Sequence, residues 1–153
     1  MLRVIAIDKI KDINYKNTIN DFLQRLNNRL KIDIFELQPA KYINFDCKEK
    51  AIDKEAEKIL ESLNYQDYVI TLDDKGKHLS SHEFSTLVFD TLNHKHITFI
   101  IGGAYGVSPK IKEKSNLLLS LSKMTFPHEL ARLILIEQMY RAYCINSNIK
   151  YHH

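Results

Sequence analysis

Three of the four glycines in this chain fall between positions 102 and 106, in Gly102-Gly103-Ala104-Tyr105-Gly106, directly after the strongly apolar run 97–101. Glycine lets a backbone approach a ligand closely or take a positive φ, and ligands of open α/β sheets lie beyond the carboxyl ends of strands. The segment therefore reads as a ligand loop or as a tight strand-to-helix turn. Its spacing is not GxGxxG, and no GxxxxGK[ST] occurs, so NAD and ATP have no specific support. A second candidate is Leu121-Ser122-Lys123-Met124-Thr125-Phe126-Pro127-His128. Here an apolar run gives way to small polar residues before a proline that can open a helix. The first amides of a helix lack internal partners and can hold polar ligand atoms. His128 and Arg132, four apart, share one face; the alternative is that Thr125 caps the helix and both are surface residues. A third candidate is the tail Lys150-Tyr151-His152-His153, an aromatic ring among cationic or titratable neighbours, able to stack on a base and touch phosphate. The alternative is a frayed terminus.

Other chemistry finds less support. His78, His82, His94 and His96 have no acidic or cysteine partner at ligand spacing and read as surface residues, so no metal is expected. Asp73-Asp74 could serve as a base or cation ligand, or as turn chemistry before Gly76. There is no GxSxG elbow, and Cys144 sits in an apolar helix without a base beside it, which leaves nucleophilic hydrolysis without a carrier.

The elements that must position these residues alternate. Strands are expected at 4–7, 32–37, 68–72, 97–101 and 117–121, from apolar runs or period-two alternation. Helical spacing appears over 15–30 and 47–63. Ser80 with Glu83 forms a capping box opening a helix to Leu92. Ser108-Pro109 starts a short helix to about Ser115. A long helix runs from Pro127 to about Cys144 and is apolar almost all round, which implies burial on more than one side. The second partner would be another subunit or simply the core of a monomer. Strand and helix in alternation predict an α/β domain over 1–153, with a largely parallel sheet covered on both faces.

Composition bounds the class. The 153 residues carry 22 Lys and Arg against 19 Asp and Glu, a net charge of +3, too mild for a general nucleic-acid coat. The two cysteines, Cys47 and Cys144, form no CxxC pair and read as reduced thiols of a cytosolic protein. No segment reads as a signal peptide, and no run nears the ~18 apolar residues of a membrane span. Cytoplasmic location with no membrane partner is expected.

Taken together, Ile101-Gly102-Gly103-Ala104-Tyr105-Gly106, the run 119–128 ending Thr125-Phe126-Pro127-His128, Leu135-Ile136-Glu137-Gln138-Met139-Tyr140-Arg141-Ala142 and the terminal Tyr151-His152 resemble the ribosomal large-subunit methyltransferase H family, small SPOUT-class proteins. The resemblance covers the chain by length and element order and is strongest from residue 97 onward. It implies a SPOUT fold with a C-terminal trefoil knot, a homodimer joined through the knot region and last helix, and S-adenosylmethionine as cofactor. It also implies methylation of pseudouridine N3 in large-subunit rRNA of the assembled ribosome.

Carried over by position, Leu72, Gly102, Gly103 and the run Leu121, Ser122, Lys123, Met124, Thr125 and Phe126 would hold the cofactor, the two glycines leaving room for its methionine end. His128 would remove a proton or orient the base. Arg132 and Arg141 would bind phosphate or stabilise negative charge, and Tyr151 and His152 would close over the nucleotide. Two positions depart from the family pattern. Asp8-Lys9 stands where Gly-Lys is common, and His153 stands where Lys or Arg is usual. The rival expectations are a non-catalytic RNA- or ribosome-binding module of the same fold, and a SPOUT methyltransferase with another RNA target.

Overall fold

The structure, a computed structural model, describes residues 1–26, 29–41 and 48–151; Cys47, His152 and His153 lie outside the described residues. The elements are β1 (Leu2–Ile7), α1 (Ile13–Leu26), β2 (Ile32–Leu37), α2 (Lys48–Ser62), β3 (Tyr68–His78), α3 (Ser81–Leu92), β4 (Ile97–Ile101), α4 (Pro109–Lys114), β5 (Leu117–Ser120) and α5 (His128–Asn146). The five strands form one sheet in the order β2-β1-β4-β3-β5, and every pairing is parallel.

A parallel sheet needs crossovers, and its helices cover both faces. The period-two alternation of side chains divides the core accordingly. Leu2, Val4 and Ala6 of β1 share a face with Ile97, Phe99 and Ile101 of β4, and this layer meets Ile19, Phe84, Val88, Leu135 and Met139 of α1, α3 and α5. Ile5, Ile7, Val69 and Ile100 emerge on the other face, against Ala56 and Ile59 of α2 and Ile111 of α4. Helix α5 lies over the sheet between α1 and α3. That position accounts for its apolar residues on several sides within one chain.

Local signals act as their chemistry requires. The Ser80 hydroxyl caps the α3 amide of Glu83, whose carboxylate returns to the Ser80 N–H at 2.7 Å. Ser108 caps α4 with Pro109 in its first turn. The expected end of the third strand at Leu72 is corrected. β3 continues to His78 through a register shift in which Leu72 and Lys77 both face Leu119 of β5. The acidic, glycine-containing stretch 73–76 is an excursion inside the strand, not a turn that ends it. Gly76 makes the return possible: a Cβ there would lie 2.6 Å from the carbonyl carbon and oxygen of Leu118. Among the described residues, no helix is long and apolar enough to cross a membrane.

Gly76→Ala therefore forces β3 and β5 apart. Urea unfolding should find the variant less stable by about 1–3 kcal/mol, the range for overpacking a tight contact; unchanged stability would mean that the strands separate without cost.

Candidate functional site

The carboxyl ends of β3, β4 and β5 border a cleft of about 850 Å³. Its walls are Leu72, Ile101, Leu119, Leu121 and Phe126, its floor is the loop 102–107, and His128 and Ala131 of α5 close one side. Asp73, Asp74, Lys75 and Lys112 stand at its rim. An apolar enclosure with a few convergent polar groups is what a small-molecule site requires. A second concavity of about 600 Å³, between α1 and β2, is lined by Leu23, Leu30 and Ile32 with Lys31 and Asp33, and those two charges pair with each other at 3.7 Å. The chemistry therefore concentrates in the first cleft. It gathers the expected cofactor residues Leu72, Gly102, Gly103, Leu121, Ser122, Met124, Thr125 and Phe126, while Lys123 is exposed and does not line it.

The glycine loop owes its composition to folding back on itself. Gly103 and Gly106 form an antiparallel bridge, with the Gly106 N–H donating to the Gly103 carbonyl at 3.1 Å, and Gly106 has φ +84°. A Cβ on Gly102 would lie 2.6 Å from the Gly106 carbonyl oxygen, and one on Gly103 would lie 3.0 Å from Ile7 Cγ2 and 3.4 Å from Glu55 Oε2. Both missing side chains would point into the protein. This corrects the expectation that they vacate space for a ligand; the loop offers backbone to the cleft. Behind it, Glu55 is 5% exposed and accepts the Ala40 N–H at 3.0 Å. Burial pushes its carboxyl above the usual range, against the lowering effects of Ala40 and Lys58. At the rim, burial also raises Asp73, but its ion pair with Lys112 and the Lys75 N–H outweigh this and hold it below the ordinary value.

The first turns of α5 are stitched to the segment that follows β1. Arg132, expected on the surface or on phosphate, is 1% exposed. Its NH1 donates to Glu36 Oε1 at 2.6 Å and its NH2 to the Asp8 carbonyl at 2.7 Å. Those bonds commit its guanidinium to the protein's own interior, tying α5 to the ends of β1 and β2. Glu129, which the sequence reading passed over, accepts the backbone N–H groups of Lys11 and Asp12, both at 3.0 Å. Asp8 has φ +71°, the left-handed region that favours glycine. With this backbone conformation its carbonyl accepts from Arg132. Here the Asp8 carboxylate offsets the strain by accepting from Lys9 N and Lys11 Nζ, each at 2.8 Å, and the Lys11 bond holds its carboxyl below the usual range. His128 lines the cleft, and its Nε2 is buried with no hydrogen-bond partner among the described residues.

The other expected residues stand elsewhere. Arg141 donates to Glu137 Oε1 at 2.6 Å, and Tyr151 OH donates to the same oxygen at 3.1 Å. The Arg141 guanidinium also covers the Tyr151 ring at 4.8 Å. Thirteen residues of α5 separate His128 from Arg141, roughly 20 Å at 1.5 Å per residue, so one chain does not unite them. Among the described residues, no group of three or more His, Cys, Asp or Glu is arranged to hold a metal.

A three-layer parallel α/β sheet with an apolar cleft at its carboxyl edge defines an α/β protein of the small-molecule-binding class. Residues 1–152 match the family described as predicted SPOUT methyltransferase, and the chain belongs to that family. It is similar to the ribosomal RNA large subunit methyltransferase H of Dictyoglomus thermophilum, 46% identical over 155 residues that cover 99% of each chain. It is also similar to the protein of that name from Streptococcus sanguinis, 38% identical over 157 residues covering 99% of this chain and 98% of the relative. A putative ribosomal RNA large subunit methyltransferase H of Methanococcus vannielii is 40% identical over 156 residues, with 99% and 98% covered.

Two stability measurements follow. Asp8→Gly relieves the left-handed residue and should match or exceed the parent, whereas Asp8→Val should lose more than about 1 kcal/mol; equal stability of the three would mean that position 8 is unstrained. Glu55 takes up a proton on folding at pH values just above its ordinary pKa, so its ionisation weakens the fold as pH rises through that window. Glu55→Gln should therefore be at least as stable as the parent at pH 7 and lose that advantage near pH 4. A destabilised variant at pH 7 would contradict this.

Proposed function

We propose that this chain transfers a methyl group from S-adenosylmethionine to N3 of a pseudouridine in large-subunit ribosomal RNA, with the assembled ribosome as its substrate. The observation that carries the proposal is the cleft: apolar walls beside a glycine loop, with one buried, unpartnered imidazole nitrogen at its margin. That donor set fits an adenosine with a charged methionine arm. Leu72, Leu121 and Phe126 would enclose the adenine, and the backbone of 102–103 and of Ser122 to Thr125 would supply hydrogen bonds. The Ser122 hydroxyl holds this second loop in shape by accepting the Met124 N–H at 3.0 Å.

When bound, the cofactor supplies an electrophilic methyl group on a sulfonium. The protein must align the acceptor nitrogen with it, and alignment is worth many kcal/mol. It must also deal with the N3 proton, whose pKa lies above neutrality. His128, at the cleft margin, takes that proton or orients the base, work worth about 10²–10⁴-fold in rate. Arg132, through Glu36 and the Asp8 carbonyl, fixes the helix turn that carries His128.

Arg141, Tyr151 and His152 complete the site from a second copy. In a homodimer that pairs α5 with its counterpart in opposite directions, the tail of one chain meets the cleft of the other. Leu130 and Ile134, half-buried on the side of α5 opposite Arg132, would lie in that interface. A knotted C-terminal segment and a cytoplasmic location belong to the same proposal.

Calorimetric titration with S-adenosylhomocysteine tests the cleft. The parent should bind, and Gly102→Ala, whose Cβ collides with the Gly106 carbonyl, should lose at least about tenfold in affinity. His128→Ala should keep its affinity for S-adenosylhomocysteine while methylation of ribosomes falls about 100-fold or more. A folded parent that binds nothing would favour a non-catalytic ribosome-binding module; an unchanged rate in His128→Ala would end its assignment.

A further inference from the structure

The lower end of the α1–α5 pair carries an aromatic and cationic surface whose α1 half plays no part in the site described above. The Phe22 and Tyr140 rings lie 5.6 Å apart, and Tyr151 meets Tyr140 edge-on at 4.8 Å. The Arg25 guanidinium sits 5.8 Å from the Phe22 centroid and 5.9 Å from that of Tyr140. Arg29 NH1 donates to the Tyr143 hydroxyl at 2.8 Å.

The charge balance of this surface is uneven. Arg25 pairs with Asp21 at 2.8 Å, but both side chains are about half exposed, and such a pair contributes little. Arg29 is exposed and forms no ion pair among the described residues; it donates to a neutral phenol. The Phe22 and Tyr140 rings flank the Arg25 guanidinium and the Tyr143 hydroxyl holds that of Arg29, so both are positioned at the surface, Arg25 beside one exposed carboxylate. Fork-shaped donors pre-oriented on aromatic faces suit phosphate. Aromatic rings interleaved with cations are the surface that nucleic-acid strands recognise.

We infer that Arg25 and Arg29 bind backbone phosphates of the RNA that flanks the methylated nucleotide. The inference rests on the proposed function. In the antiparallel α5 pairing of that proposal, the end of one chain that carries Arg25 and Arg29 would border the cleft of the other, on the path of the strand leaving it. These arginines anchor substrate and take no part in methyl transfer or cofactor binding.

The test is the double variant Arg25→Gln/Arg29→Gln in the full-length protein, with binding to ribosomes measured by sedimentation at several salt concentrations. Each phosphate contact contributes about 0.7–0.9 to the slope of log affinity against log salt. The expected result is at least a tenfold loss of ribosome affinity and a slope shallower by about 1.4–1.8. S-adenosylhomocysteine affinity and elution volume in size exclusion should not change. Arg25→Lys/Arg29→Lys, which keeps the charge, should restore most of the slope. Parental affinity and slope in the glutamine variant would overturn the inference. A loss accompanied by altered elution or weaker S-adenosylhomocysteine binding would also overturn it, because the arginines would then serve the fold or the dimer. Failure of the parent itself to bind S-adenosylhomocysteine would instead strike the underlying proposal.

Discussion

The placement of the cleft depends on one buried cation. Arg132 joins the last helix to the ends of the first two strands, through Glu36 of β2 and the carbonyl that follows β1. Arg132 is buried while Glu36 stands at the surface, so the pair is half-buried, and removing Glu36 would leave a buried guanidinium without its anion, which is costly. Arg132 therefore acts less as glue than as a register pin. The turn of α5 that carries His128 is fixed relative to β1 and β2, and the contacts of Glu129 with the amides of Lys11 and Asp12 hold the same junction from its other side. The pin also constrains residue 8. Its carbonyl must face the guanidinium, which requires the left-handed conformation, and only glycine, asparagine or aspartate adopts that readily.

The rest of the cleft joins apolar side chains to two loops that hold their own shape. The loop 102–106 is closed by a bridge between two of its own glycines, and any β-carbon on Gly102 would strike that closure. Folding therefore accounts for the glycine, and the loop's glycines can present only backbone to the cleft they line. The loop 120–124 is braced the same way, by the hydroxyls of Ser120 and Ser122 on its own backbone. Two self-braced loops facing apolar walls form a preorganised receptor, which avoids the ordering cost that flexible loops would incur on binding.

This also explains which parts could be read from the sequence. The four remaining strands and the capped helices followed from periodicity and from Ser80, Glu83, Ser108 and Pro109, because each of those signals acts within a few residues. β3 was cut short because Asp73, Asp74 and Gly76 are turn residues by local rules. Only the backbone of Leu118, from a strand more than 40 positions away, reveals why the chain returns to pairing. Arg132 escapes local rules for the same reason: its helix neighbours are ordinary, and its partners lie 96 and 124 positions distant. The cofactor class was legible only by family likeness, since apolar walls and self-braced loops leave no side-chain motif beyond the glycines.

Helix α5 sets the scale on which the function must be organised. Its first turn borders the cleft, and its last turns carry Arg141, Tyr140 and, beyond them, Tyr151. A straight helix of this length keeps those ends roughly 20 Å apart, far beyond the few ångströms over which a methyl group can pass. One chain can thus bind a cofactor at one end and offer stacking rings at the other without the two ever meeting. Under the proposed function, the economical solution is a two-fold axis across α5, which brings each cleft to the partner's tail and generates two identical composite sites. A site assembled in that way is bordered by two chains, and its substrate must fit both. Under that proposal, a surface fixed in a large assembled particle suits the demand better than a free strand with no defined shape.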